Sequence, residues 1–393
     1  MMVGTMGHQK KPKADSPYPP GWEPFLYAIN ANLDDDTPRL VFADRLQENG
    51  DEARAEFIRI QCELHRVHPG YDGNSGIIRG HFSDAQRNMW RREKELRTAH
   101  RDGWARGIPA ELLGRGWDYR RGFVCHLSAT ARQWIDQGEA ARRVTPVESV
   151  GLARTAGVEQ VFHEVSLVGL RRLFLVDLTS AGANSLAASP ALDTLDGLGV
   201  SGVGESALAI RNSIGSLVES PRLANLSRAW VQFSPIGDAV AFGLAGNSAL
   251  RRLVELKLLN TGLTAPWLDV FIRSPAASGL RVLNLQANPL GDDGVRRLVN
   301  SPLTGLEELN IRYNNLTAGS ARLLAAWPGL RSVRTLLLSG NEFGPEGARA
   351  LLGSEHLAGV TTLELPALRV HKQDRERLAD LPEYQRIRNV RFA

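Results

Sequence analysis

The chain has 393 residues, 43% of them hydrophobic and 23% charged, an ordinary globular composition that excludes a largely disordered protein. The formal charge is +4, from 47 basic and 43 acidic residues, and seven basic against four acidic residues lie from Pro366 onward, a surplus too small to argue for nucleic acid. No run of about 18 apolar residues offers a transmembrane helix, no apolar signal segment opens the chain, and two cysteines (Cys62 and Cys125) cannot build a disulfide framework, so a reducing, cytoplasmic setting is expected.

Residues 1–21 are polar and Pro-rich and read as a flexible leader. Residues 22–119 read as a helical module. A short amphipathic helix is expected over 23–32. A second starts after Asp36 or Thr37 as cap, with Pro38 in its first turn and Asn49-Gly50 at its end. A third covers 51–67, and a longer, highly charged one covers 83–104 behind the cap Ser83. RRGFVCHLSA (120–129) has the composition of a strand and TARQWIDQGEAARRV that of a helix. Residues 120–146 are assigned as an N-terminal cap for the segment that begins at residue 147.

The acidic residues Asp34, Asp35, Asp36 and Asp44, with Glu48 and Asp51 nearby, are the sharpest charged cluster. Carboxylates are the ligands of Mg²⁺ or Ca²⁺, so a metal-dependent activity at Asp34–Asp51 is one reading. The other is helix capping and dipole compensation, with Arg39 and Arg45 pairing with Asp44 and Glu48 on an exposed face. The EF-hand spacing is absent.

From residue 147 the chain repeats itself. LRVLNLQANPL from Leu280, LEELNIRYNNL from Leu306, VRTLLLSGNEF from Val333 and LVELKLLNTGL from Leu253 share L-x-x-L-x-L-x-x-N/T-x-L. Looser copies start at Val147, Leu170, Leu192, Leu223 and Val360, which makes nine units over about 147–390. GDDGVRRLVNSP, TAGSARLLAAWP and GPEGARALLGSEH come after the strands with helical spacing.

This pattern resembles the leucine-rich repeat superfamily, in its ribonuclease-inhibitor-like subclass. The resemblance implies an α/β solenoid over 147–393, with a parallel concave sheet, convex helices and a C-terminal cap, preceded by the small α-helical domain. Positions 4 and 6 of each unit point inward. Asn288, Asn314 and Asn341 at position 9 are structural, because an amide both donates to and accepts from free turn backbone. The stretch Glu23–Leu64 is similar to the repeat-companion domain of planctomycete and myxobacterial proteins, through Asp34, Asp36, Arg39, Leu40, Ala43, Asp44, Leu46, Gly50, Asp51, Ala55, Glu56, Phe57, Ile58 and Gln61. Arg45 departs from the aromatic expected there. That resemblance names no activity.

The outward strand positions give the candidate partner-binding residues: Arg172, Phe174, Trp230, Lys257, Asn284, Gln286, Asn310, Arg312 and Tyr313. Arg and aromatic residues are the types enriched at binding hot spots. Gly197-Leu-Gly199-Val-Ser-Gly202 matches G-x-G-x-x-G literally, but it lies inside the repeat register and reads better as a Gly-rich loop of an irregular unit than as a dinucleotide site. Cys125-His126 would point to opposite faces of a strand. No catalytic residue and no cofactor is assigned. The expectation is a monomeric, non-enzymatic scaffold for a protein or peptide partner, with regulation of a GTPase or similar enzyme as the alternative by solenoid analogy.

Overall fold

The computed structural model describes residues 18–67, 83–114, 116–157, 159–163, 167–202, 214–366, 387 and 389–392. The expected leader up to residue 17 and the helix of the C-terminal cap lie outside the described residues. Contacts divide the chain into two units, Met1–Ser128 with Asp136–Glu148, and Ala129–Ile135 with Ser149–Ala393.

The first unit holds α1 (Glu23–Ala31), α2 (Thr37–Glu48), α3 (Glu52–Val67), α4 (Asp84–Trp104), the short α5 (Ala110–Leu113), the strand β1 (Trp117–Arg120), and β2 (Phe123–Thr130) up to Ser128. Helix α6 (Ala131–Arg142) begins in the second unit and ends in the first. The boundaries obey local chemistry. Pro38 sits in the first turn of α2, and Gly50 past its end has φ +83°. Ser83 opens α4 with a reciprocal capping box: its Oγ accepts from the Gln86 amide, and its own amide donates to Gln86 Oε1 at 2.7 Å.

The expected single strand over 120–129 is instead a hairpin. Arg121 and Gly122 form its two-residue turn, with φ +51° and +88°, the primed geometry that suits strand twist. Glycine is required at 122, because a Cβ there would lie 2.2 Å from Ile58 Cγ1. The Gly122 amide donates to Gln61 Oε1 of α3 at 2.7 Å. Around this hairpin Tyr18, Phe42, Phe57, Trp104, Tyr119 and Phe123 form an aromatic core. The Arg54 guanidinium lies over the Tyr18 ring at 4.3 Å.

In the second unit β3 (Ser149–Ala153), β4 (Arg172–Val176), β5 (Gly197–Ser201), β6 (Arg228–Gln232), β7 (Glu255–Leu259), β8 (Val282–Asn284), β9 (Glu308–Asn310), β10 (Thr335–Leu337), β11 (Thr362–Leu365) and β12 (Asn389–Phe392) lie in chain order. Each pairs in parallel with the next. Alternate residues, such as Leu173 and Leu175 or Leu256 and Leu258, are buried. Helices over Gly291–Val299, Ala318–Ala325 and Gly344–Leu352 come after β8, β9 and β10.

The strand register corrects two of the expected repeat starts. Arg172 pairs with Gly197 and Gly197 with Arg228, so the third and fourth units start at Leu195 and Leu226, not Leu192 and Leu223. Leu192 and Leu223 belong to 3₁₀ turns, Pro190–Thr194 and Pro221–Asn225, that precede the strands. Two L-x-x-L steps in succession let the pattern be read three residues early. Trp230 therefore occupies strand position 5 rather than 8, and Asp196 and Ser227 leave position 5.

Consecutive repeats are tied by amides. Asn341 Oδ1 accepts from the amides of Asn314 (2.9 Å) and Leu316 (3.2 Å), and its Nδ2 donates to the carbonyls of Leu338 and Ile311. Asn288 Oδ1 accepts from Thr261 and Leu263 amides, and its Nδ2 donates to Leu258 and Leu285 carbonyls. Asn314 Nδ2 donates to Leu285 and Arg312 carbonyls, but its buried Oδ1 has no hydrogen-bond partner among the described residues. Leu290, the counterpart of Leu263 and Leu316, donates to the carbonyl of Asn288 in its own turn instead.

Candidate functional site

The outward face of the second unit's sheet is a grid that the parallel register makes explicit. One row runs Arg172, Gly197, Arg228, Glu255, Val282, Glu308, Thr335, Thr362. The next runs Phe174, Gly199, Trp230, Lys257, Asn284, Asn310, Leu337, Glu364. A side chain in either row stands on the solvent side because its strand neighbours point into the core.

Phe174 on β4 and Trp230 on β6 are separated by a whole strand, about twice the ~4.8 Å interstrand spacing. Their rings nevertheless stack, with centroids 5.1 Å apart and planes 24° apart. They meet because β5 has no side chain between them. A Cβ on Gly199 would lie 2.5 Å from Phe174 Cδ1, and one on Gly197 2.9 Å from Trp230 Cη2. The G-x-G-x-x-G match is thus a strand that clears space for two rings, not a phosphate loop. Trp230 Nε1 donates to Glu255 Oε1 at 2.7 Å, and Lys257 Nζ reaches the same oxygen at 2.6 Å. On the other side of the platform Asp196 lies 3.6 Å from Arg172 Nε and 3.1 Å from Arg228 Nη2.

The remaining candidates form a polar field beside this platform. Asn284 and Asn310 face outward but are only 7% and 3% exposed, and their Oδ1 atoms accept from the Gln286 and Arg312 amides. Asn310 Nδ2 donates to Gln286 Oε1 at 3.3 Å. Arg312 grips Glu364 with both ends of its guanidinium, Nε at 2.7 Å from Oε1, and Ser339 donates to the same carboxylate. Burial pushes the Glu308 carboxyl above its ordinary range; Lys257 and Arg312 oppose this and Glu255 reinforces it. Tyr313 is 56% exposed in a left-handed turn, its ring on Gly340, where a Cβ would lie 2.2 Å away.

Sequence reasoning missed Gly197, Gly199 and Arg228 as parts of this face, and it placed Glu364 there without its pairing to Arg312. Correct register would have revealed the first three; the Arg312–Glu364 pair joins residues 52 apart in sequence and carries no local signal.

The acidic cluster of the first unit is dispersed into pairs and caps. Asp35 Oδ1 accepts from the Thr37 amide at 2.8 Å, which holds its carboxyl below its ordinary range, and Asp51 Oδ1 accepts from the Arg54 amide. Asp44 pairs with Arg59 at 2.6 Å, and Glu48 with Arg45 at 3.3 Å. Arg39, expected on the exposed face, is 0% exposed and pairs with Glu148 at 3.2 Å. It shares the buried stripe of Phe42, Ala43 and Leu46, the i, i+3, i+4, i+7 face of α2. Arg121 reaches Asp36 at 3.2 Å and Glu148 at 3.7 Å, and Arg120 reaches Glu148 at 3.3 Å. Among the described residues no three His, Cys, Asp or Glu side chains gather as a metal site. Burial pushes the Cys62 thiol up to about 12, which keeps it protonated. Cys125 is buried, while His126 Nε2 lies 3.1 Å from Ser128 Oγ.

Comparison with known proteins agrees with the repeat geometry. A leucine-rich-repeat family model matches residues 280–299 and 329–352. Ribonuclease inhibitor of Sus scrofa is 36% identical over 148 residues, which is 35% of this chain and 31% of that protein. Ribonuclease inhibitor of Mus musculus is 34% identical over the same length and shares. The match thus spans about a third of the length of these curated relatives. Among the described residues no helix is long and apolar enough to cross a membrane.

Proposed function

Because the chain is a leucine-rich-repeat protein with repeats like those of ribonuclease inhibitor, we propose that it is a non-enzymatic binding scaffold whose protein or peptide partner sits on the open face of the sheet. The observation that carries this reading is the Phe174–Trp230 stack over Gly199. Two strand glycines cost roughly 0.5–1 kcal/mol each against alanine, and an aromatic pair returns about 0.5–1.5 kcal/mol beyond its burial. The ring–ring contribution and the glycine cost are thus of similar size. The platform's product is a flat, half-exposed aromatic surface edged by Arg172, Arg228 and Lys257, the chemistry of a binding hot spot. The relatives' name makes an enzyme one class of partner to test.

A photo-crosslinking residue at Lys257 tests the reading, with the helix residue Phe242, 40% exposed, as the control position. Capture is expected from 257 and not from 242, and the captured partner should bind the Phe174→Ala/Trp230→Ala variant at least tenfold more weakly. Equal capture from both positions, or unchanged binding by the double variant, overturns the assignment.

A further inference from the structure

Helix α4 carries a second surface, within the first unit. Arg87, Arg91, Lys94, Thr98 and Arg101 succeed one another at steps of four, three, four and three, so they form a single stripe along the helix. Asp84 pairs with Arg87 and Asn88 with Arg91 at 3.1 Å. Lys94 and Arg101 are held differently, each by an aromatic ring. Lys94 Nζ lies 5.7 Å from the Trp90 centroid, and the Arg101 guanidinium lies 4.2 Å above the Trp117 ring while Nη2 donates to the Trp117 carbonyl at 3.3 Å. Both cations are exposed. They line an open cleft of about 630 Å³ between α4 and β1, with Arg97 and Thr98.

We propose that this cleft docks an acidic, extended peptide segment of a partner protein. With Nη2 held by the Trp117 carbonyl, the exposed Arg101 guanidinium presents its remaining N–H groups, which can receive a carboxylate. Arg101 lies seven helical steps beyond Lys94, about 10.5 Å along the axis. A polyproline II segment places residues i and i+3 on one side about 9.3 Å apart, so a Glu-x-x-Glu spacing matches the two cations. The same cleft is edged by Asp102 and Asp118. Discrete carboxylates can seat between these charges, whereas a continuous phosphate backbone would meet them repeatedly. The segment thus favours an acidic peptide over a nucleic acid, in keeping with a chain whose net charge is only +4.

Fluorescence anisotropy of a labelled (Glu-Pro-Pro)₄ peptide with the full chain at low ionic strength tests this, beside a twelve-nucleotide single-stranded DNA. The peptide should bind, salt should weaken it, and K94E/R101E should lower its affinity at least tenfold with an unchanged melting temperature. K94Q/R101Q should give a smaller loss of the same sign and serves if the charge reversal disturbs folding. R322E/R349E, the same change in net charge on helices of the second unit, should stay within about twofold of the parent. No binding, equal loss in R322E/R349E, or no loss in the α4 variants overturns the proposal. Tighter binding of the oligonucleotide with the same sensitivity replaces the peptide with nucleic acid.

Discussion

Phe174 and Trp230 stack at 5.1 Å across a strand that separates them, and Gly199 is the residue whose missing side chain allows it. Gly199→Ala places a methyl group 2.5 Å from Phe174 Cδ1. It is expected to cost about 1–3 kcal/mol through forced displacement of the ring. In a Phe174→Ala background the same substitution should be neutral or stabilising, since alanine is the better strand residue. Urea midpoints of the four proteins in this cycle check the prediction; equal costs in both backgrounds would show that the ring is not the obstacle.

The three repeat asparagines should not be equivalent. Asn341→Ala removes an amide that satisfies four buried backbone groups and is expected to cost about 3 kcal/mol. Asn314→Ala should cost less, about 1–2 kcal/mol, because its Oδ1 has no partner to lose. Chemical denaturation of the two variants measured side by side decides it, and the reverse order would contradict the hydrogen-bond pattern.

Glu148→Ala leaves Arg39, Arg120 and Arg121 around a missing carboxylate. Removing one partner from a buried ionic network strands the others, at about 3–5 kcal/mol. Thermal unfolding of the variant should show a correspondingly lowered transition. A loss below about 1 kcal/mol would mean that the guanidiniums find other partners.

Asp292 opens the Gly291–Val299 helix and accepts from the Thr317 amide at 2.9 Å and from the Ser320 hydroxyl of the next repeat. Burial raises its carboxyl pKa, but the hydrogen bonds from Ser320 and Thr317 outweigh it and the net shift is downward. A depressed folded-state pKa means stability that is present above the unfolded value, near ~3.9, and lost as pH falls through the folded one. Between about pH 5 and 3 the parent should therefore lose more stability than Asp292→Asn. Parallel pH profiles from urea titrations would refute the coupling.

The solenoid was legible because its inward leucines recur at fixed spacing and the strand, turn and helix signals agree with that spacing. The two misplaced starts, Leu192 and Leu223, failed for a physical reason: the leucine of the 3₁₀ turn lies three residues before the leucine that opens the strand unit, and both are buried. Helices α1 to α4 were legible through Pro38, Gly50 and Ser83. The hairpin was not, since Arg121 in a left-handed conformation is an unusual turn residue and the ion pairs that accompany it come from Asp36 and Glu148. Arg39 shows the limit of composition: a guanidinium on an apolar stripe looks solvent-exposed until its distant carboxylate is known. The candidate site was legible as a face but not as a surface, because availability depends on neighbours such as Glu364 and Gly340.

The amide ties also give the repeats a direction. The residues in the ladder position are Thr155, Leu178, Ser234 and Thr261 in early units, and Asn288, Asn314 and Asn341 in later ones. The Ser234 Oγ bonds back to Gln232, and the Thr155 Oγ1 donates a single bond to the Asp177 carbonyl of the next repeat, whereas an amide such as that of Asn341 serves four backbone groups of two turns. Nearest-neighbour coupling sets how cooperatively a repeat array unfolds, so lower cooperativity is expected toward the N-terminal repeats, which have fewer such ties. The array would open by peeling from that side, with amide exchange slowest near residues 280–340 and the aromatic platform on the half that breathes first.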